Sequence, residues 1–175
     1  HYVCGGIKID TNSQSTVPGL FAVGECSGGP HGAGRIGGNS LTEILVFGKR
    51  AGRAAAEAAC NVGPADTDGD AVQVECRRVL DFLDDRRGGR RPNEIKAQLQ
   101  QVMNDHVGVV RNDEGTALAI ARFKEMEAVD LPAMALANRS RIGNYDWIEA
   151  LEISSMVQFG QAMAGAARLR TESRS

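Results

Sequence analysis

HGAGRIGGNSLTE, running from His31 to Glu43, brings a glycine-rich loop to the start of a helix, and the rest of the chain is read outward from it. Gly32, Gly34, Gly37 and Gly38 remove side chains where the backbone comes close to something flat or anionic. Asn39 or Ser40 can cap the following helix, and Ser40-Leu41-Thr42-Glu43 has the form of a capping box in which Glu43 reaches back to the first amides. A helix begun this way offers N–H groups and a partial positive charge at its tip, and Arg35 adds a guanidinium five residues earlier. The stretch therefore predicts a corner that receives an anion or an electron-rich ring.

Gly32-Ala33-Gly34-Arg35-Ile36-Gly37 also fits the G-x-G-x-x-G pattern of dinucleotide-binding turns, but its context is wrong. That turn leaves a strand directly and opens a helix within a βαβ unit, with an acidic residue some 20 positions on. The strand predicted at Leu20 to Val23 ends well before Gly32, and a polar linker follows the helix.

The chain has 175 residues, a net charge of −2 and an ordinary apolar fraction, enough for one domain, or a small domain with an appendage, around a real core. Nothing in the charge calls for nucleic acid or an anionic membrane, and no run is apolar for the length of a bilayer. Cys4, Cys26, Cys60 and Cys76 are widely spaced, without a C-x-x-C pair or clustered histidines, which disfavours a zinc or iron–sulfur site and fits reduced thiols in a cytoplasmic protein. Asp66, Asp68 and Asp70 fall short of a calcium loop, because the glycine sits too early and no glutamate stands twelfth. No metal is expected.

In chain order, Ile7 and Ile9 alternate with Lys8 and Asp10, a polar turn follows, and Pro18-Gly19 opens the apolar run Leu20-Phe21-Ala22-Val23. This predicts a short β-meander with a buried strand, and Glu25 stands at that strand's carboxyl end, where ligands are met in open α/β sheets. Glu25 could accept bonds from ligand hydroxyls or cap the next loop. A helix over Ser40 to Cys60 has an apolar first half, then small residues including Gly48 and Gly52 that suit close packing. Asn61 to Asp70 reads as linker. Helical periodicity then dominates: Val74, Val79, Leu80 and Leu83; Ile95, Leu99, Val102 and Met103 after Pro92; Leu118, Ala121, Phe123, Met126 and Val129 after Asn112, ended or kinked by Pro132; and a last helix from about Asp146 with Ile148, Leu151, Met156, Phe159, Met163 and Ala166 as its stripe. About four helices should form a bundle appended to an α/β edge. His106, alone at a helix end, reads as structural.

These residues carry a resemblance. His1-Tyr2-x-x-Gly5-Gly6, Val17-Pro18-Gly19-Leu20-Phe21-Ala22-Val23-Gly24-Glu25, His31-Gly32-Ala33-x-Arg35 and Gly38-Asn39-Ser40-Leu41 follow in an order and spacing similar to the flavoprotein subunit of fumarate reductase and succinate dehydrogenase, and Arg170-Thr171-Glu172-Ser173-Arg174 resembles that family's closing segment. The abrupt start at His1 suits a fragment of such a subunit. The resemblance implies an α/β edge of a flavin-binding domain, made of a short β-meander, glycine loop and helix, followed by an all-α helical bundle domain. Residues 1–60 would be the C-terminal part of the FAD-binding domain, 61–71 a linker, and 72–175 the helical domain.

Carried over residue by residue, it implies that His1 hydrogen-bonds one carboxylate of a dicarboxylate substrate, fumarate or succinate, and that Arg35 clamps the other end. Glu25 would hold the ribityl chain of FAD, Ser40 and Leu41 would meet the pyrimidine edge of its isoalloxazine, and Gly6, Gly38 and Asn39 would line the cofactor. Gly34 departs from the asparagine usual in the family. The implied reaction is hydride transfer between flavin N5 and the substrate double bond, with electrons passing through an iron–sulfur partner subunit, in the cytoplasm or at the inner face of a membrane through partners, without direct membrane insertion. The family's dinucleotide loop and proton-shuttling arginine are not in this chain, so the chain alone should not catalyse. Two alternatives stand beside this reading. L-aspartate oxidase shares HYxCGG, which Cys4 matches, although Gly37-Gly38-Asn39-Ser40 sides with the reductases. A non-catalytic helical interaction module would make the glycine loop merely a tight turn.

Overall fold

The computed structural model describes residues 3–32, 34–63, 68–84 and 88–172. They fall into two compact units, one within residues 3–63 and the other Asp68–Glu172.

In the first unit, β1 (Ile7–Lys8) pairs in parallel with β2 (Ser27–Gly28), Ile7 opposite Ser27 and Lys8 opposite Gly28. Glycine is required where they meet, because a Cβ on Gly6 would collide with the Cys26 carbonyl and Gly6 has φ 146°. The predicted buried strand over Leu20–Val23 is not present: Leu20 is exposed, and Phe21 makes only an isolated antiparallel bridge with Gln14. The cause is local. Asp10 Oδ1 accepts the amides of Asn12 and Gln14 and draws the chain into a side-chain turn, Ser13 is held at φ 65°, and the hairpin bonds stop after Ser15 N–H to Leu20 O and Ala22 N–H to Ser13 O. A meander survives only as these bridges.

Helix α1 (Asn39–Cys60) lies after the glycine loop. It packs against the 3₁₀ turn Gly24–Cys26, where a Cβ on Gly24 would stand 3.4 Å from Ile44. Glu43 and Ala51 are its buried residues. The close approach expected at Gly48 and Gly52 is not made among the described residues, since a Cβ at either meets nothing within 4 Å.

The second unit is helical. It comprises α2 (Gly69–Leu80), a 3₁₀ turn Asp81–Leu83, α3 (Pro92–His106), α4 (Asp113–Glu125) running into a π turn Met126–Asp130, and α5 (Tyr145–Arg168). Its starts are those that local chemistry dictates. Asp68 accepts the amides of Asp70 and Ala71, Pro92 occupies the first turn of α3, Asn112 accepts from Gly115 N–H at 2.6 Å and Asn144 from Trp147 N–H. Helices α3, α4 and α5 pack together over Ile95, Leu99, Ala119, Phe123, Met126, Met134, Ala150, Ile153 and Val157. Below α4, the buried Asp130 carboxylate takes Arg90 at 2.8 Å and Arg122 at 3.0 Å, and both guanidiniums share Gln98 Oε1. Arg91 reaches Asp146 and the Ala135 carbonyl, tying the segment after the π turn to α3 and α5.

The stripe predicted for the last helix is only partly on the buried face, where Leu151 and Met163 pack against the core. Ile148, Met156 and Phe159 are exposed, whereas α5 buries Ala150, Ile153, Val157, Gly160 and Ala164. Leu118 and Val129 are likewise exposed, with Thr116 and Ala119 buried in their place. Bulk on one helix is met by smallness on the other: the Phe123 ring lies directly over Gly160.

Candidate functional site

The 3₁₀ turn Gly24–Cys26 carries Glu25 close to the beginning of the described chain, where its Oε1 accepts the Val3 amide at 2.8 Å. Glu25 is exposed, so its carboxylate retains a face toward solvent. That bond links the turn to the segment entering β1, which includes Gly5 and Gly6. His1 lies outside the described residues.

At the other side of the glycine loop, Gly38 takes the left-handed conformation with φ 85° and serves as the N-cap of α1. No side chain caps this helix. The Ser40-Leu41-Thr42-Glu43 capping box is therefore not formed, and Asn39 begins the helix instead of capping it. Ser40 is already the second residue of the helix, and Glu43 turns inward: its side chain is 3 % exposed, Oε1 accepts Gly24 N–H at 3.1 Å, and Oε2 stands 3.6 Å from Nε2 of His31. Arg35 projects from the loop toward the helix tip, with Nη1 3.4 Å from the Ile36 carbonyl and 3.5 Å from Ser40 Oγ.

The structure thus brings Arg35 to Ser40, and Glu25 to the backbone preceding Gly6. Asn39 and Leu41 are exposed beside Ser40, and a Cβ built on Gly38 meets nothing within 4 Å. An uncapped helix end with a guanidinium alongside and open space before it suits a flat, electron-rich ring carrying carbonyl oxygens, and thereby the isoalloxazine of FAD. Glu25, an exposed acceptor, suits hydroxyl groups of a polyol chain.

Sequence reasoning missed the pairing of Glu43 with His31. A signal was available: Glu43, Phe47, Ala51 and Ala55 lie four residues apart, so Glu43 shares the inward stripe of α1 and is placed for burial rather than capping. A separate cleft of about 240 Å³ is lined by Asn12, Lys49, Arg50, Arg53, Ala54 and Glu57. None of the candidate site residues borders it. Among the described residues, no three histidine, cysteine or acidic side chains gather as a metal site, and no helix is long and apolar enough to cross a membrane.

Comparison with known proteins fits this geometry. Residues 1–41 match the family model of an FAD binding domain, and residues 96–175 match one described as the C-terminal part of fumarate reductase flavoprotein. The chain is 34% identical to the fumarate reductase flavoprotein subunit of Haemophilus influenzae and 35% identical to that of Escherichia coli, in each case over 99% of this chain and 29% of the relative. Among solved structures, a chain of the Mycobacterium smegmatis Sdh1 complex superposes with a TM-score of 0.92 at 38% identity, and one of Escherichia coli quinol fumarate reductase with 0.85 at 32%, each over all of this chain and 30% of the other. The chain therefore spans about three-tenths of the length of the relatives it matches.

Proposed function

We propose, from the premise that this chain belongs to the family of fumarate reductase and succinate dehydrogenase flavoprotein subunits, that it forms part of an FAD-dependent oxidoreductase interconverting fumarate and succinate. The observation that carries the proposal is the uncapped tip of α1 at Gly38-Asn39-Ser40-Leu41 with Arg35 held beside it, inside a chain whose first 41 residues match an FAD binding domain. FAD, when bound, supplies the acceptor or donor of a hydride at its N5. Everything else falls to the chain's own residues.

The amides of the α1 tip, aligned with the helix dipole, favour negative charge on the pyrimidine edge of the ring, with Gly38, Asn39, Ser40 and Leu41 forming the contact. Glu25 accepts hydrogen bonds from the ribityl hydroxyls while its other bond, to the Val3 amide, keeps the turn against the segment containing Gly6. Arg35 offers a planar fork to one carboxylate of the dicarboxylate, and His1 hydrogen-bonds the other, fixing the double bond in register. We assign residues 1–60 to the FAD-binding domain, 61–71 to a linker and 72–175 to the helical domain. The two compact units, the second of them Asp68–Glu172, and the positions of the two family models support the two-domain organisation, while α2 already begins at Gly69, inside the span read as linker. An iron–sulfur subunit as electron-transfer partner, and a cytoplasmic place at the inner face of a membrane through such partners, complete the proposal; the relatives from quinol fumarate reductase support it.

L-aspartate oxidase and a non-catalytic helical module are not favoured, because the relatives at 34% and 35% identity are fumarate reductase flavoprotein subunits. The deciding experiment is an absorbance spectrum of the complete subunit with reoxidation of its reduced flavin by fumarate and, separately, by the aspartate couple. Fumarate-dependent reoxidation of a stoichiometric flavin is expected. Reoxidation confined to the aspartate reaction, or the lack of any flavin, would overturn the proposal.

A further inference from the structure

Three segments of the first unit converge on one buried carboxylate. Glu43 is 5% exposed as a residue, and an ionised carboxylate withdrawn that far from water must be met by charge or donors. Its Oε1 takes the amide of Gly24, the residue immediately before Glu25, and its Oε2 faces the imidazole of His31, where the glycine loop begins. Glu43 itself stands one turn into α1, three residues after Ser40, to which Arg35 is tied.

The loop from His31 to Ser40 is thus held at both ends. Among the described residues between them, the backbone bonds are short-range, Gly32 N–H to the Gly29 carbonyl and Asn39 N–H to the Ile36 carbonyl, and a Cβ built on Gly37 or Gly38 meets nothing within 4 Å. Glycines of this kind leave the backbone free to move, so the loop depends on its anchors for its placement. A capping glutamate would be exposed and would serve the backbone of its own first turn; Glu43, the fifth residue of α1, is buried and serves two other segments.

We infer that Glu43 is a positioning residue for the reaction: through His31 it fixes the loop carrying Arg35, and through Gly24 it fixes the turn carrying Glu25, while touching neither substrate nor cofactor. This rests on the reading of Arg35 and Glu25 given under the proposed function.

The test uses the complete flavoprotein subunit with Glu43→Gln, Glu43→Ala, His31→Asn and the double variant Glu43→Gln/His31→Asn, reading KM and kcat for fumarate, FAD content after dialysis, and hydrogen exchange across residues 24–41. Glu43→Gln keeps an acceptor for Gly24, so FAD should stay stoichiometric while KM for fumarate rises about tenfold or more and exchange over 31–38 accelerates. Glu43→Ala should in addition expose the Gly24 amide to exchange and lose FAD on dialysis. The double variant should be no worse than the worse single one, because both act through one pair. Unchanged exchange over 31–38 in Glu43→Gln, with α1 protected as in the parent, would overturn the inference whatever the turnover. Multiplying effects in the double variant would overturn it too. If exchange over 31–38 accelerates while Arg35→Lys leaves fumarate kinetics untouched, Glu43 is upheld as the anchor of the loop and it is the reading of Arg35 that fails.

Discussion

Gly160 on α5 faces the end of the Phe123 ring, and a Cβ there would stand 3.0 Å from Cζ, 3.1 Å from Cε2 and 3.3 Å from Cε1. Phe123 is 0% exposed and shares its core with Ala119, Met126 and Ile153, all also 0% exposed, so the ring could yield only by displacing packed neighbours. For Gly160→Ala two effects compete. Replacing glycine inside a helix gains about 1 kcal/mol in propensity. Overpacking a filled core costs about 1–3 kcal/mol. The net expectation is a destabilisation of roughly 0–2 kcal/mol, the opposite sign from the usual Gly→Ala change in a helix. Phe123→Leu removes the ring atoms concerned and costs about 1–2 kcal/mol, less than the 3–5 of full truncation. In that background Gly160→Ala should recover its propensity gain, leaving a coupling of about 1–3 kcal/mol between the two sites. Urea unfolding of the four chains of the cycle, followed by far-UV circular dichroism with a common m-value, measures this directly. Stabilisation by Gly160→Ala alone of about 1 kcal/mol, or a coupling below about 0.5 kcal/mol, would refute the packing argument.

Three further outcomes are expected. In the complete subunit, Arg35→Lys should lose fumarate turnover by about a hundredfold or more while keeping its flavin, since one ammonium cannot replace a planar bidentate fork; steady-state kinetics normalised to bound flavin checks this. Glu25→Gln should weaken flavin retention more than it raises KM for fumarate, as read from absorbance after dialysis against the apparent KM. The third concerns pH: the hydrogen bond and charge of Arg168 hold the Asp113 carboxyl below the usual carboxylate range. A depressed carboxyl pKa stabilises the fold above the unfolded value of about 3.9 and loses that contribution as pH falls through the folded one. Asp113→Asn should therefore lower the thermal midpoint slightly at pH 7, by a screened, exposed pair's small share, and melt together with the parent once Asp113 itself is protonated in strong acid.

The starts of α3, α4 and α5 were the most legible part of the fold because each is decided within a few residues. Asn112 has Gly115 in reach of its own side chain, and Pro92 needs no amide partner. The glycine loop ending at α1, and the approach of Arg35 to that helix, were legible for the same reason of sequence proximity. Glu43 was misjudged where local and distant partners competed. A glutamate three residues after a serine can always reach back to its own first turn, but Gly24 and His31, 19 and 12 positions away, hold it inward, and only the stripe it shares with Phe47 and Ala51 reveals that. Leu20–Val23 departs for a different reason: its apolar character predicts a strand, whereas Asp10 and the left-handed Ser13 break the ladder upstream.

The face of α5 shows why the largest side chains are an unreliable guide to a core. Ile148, Met156 and Phe159 form a stripe by size, yet the helix buries Ala150, Ile153, Val157, Gly160 and Ala164, with Gly160 against the Phe123 ring of α4. At Gly160 the two helices approach closely because α4 supplies the bulk there through Phe123. Periodicity reports which residues of one helix share a face; it cannot say whether that face or its neighbour finds a partner with room. The exposed Ile148, Met156 and Phe159 then mark where α5 carries apolar surface that the described helices of its own unit leave uncovered, and a Cβ at Gly160 would press on Phe123 in the present rotation.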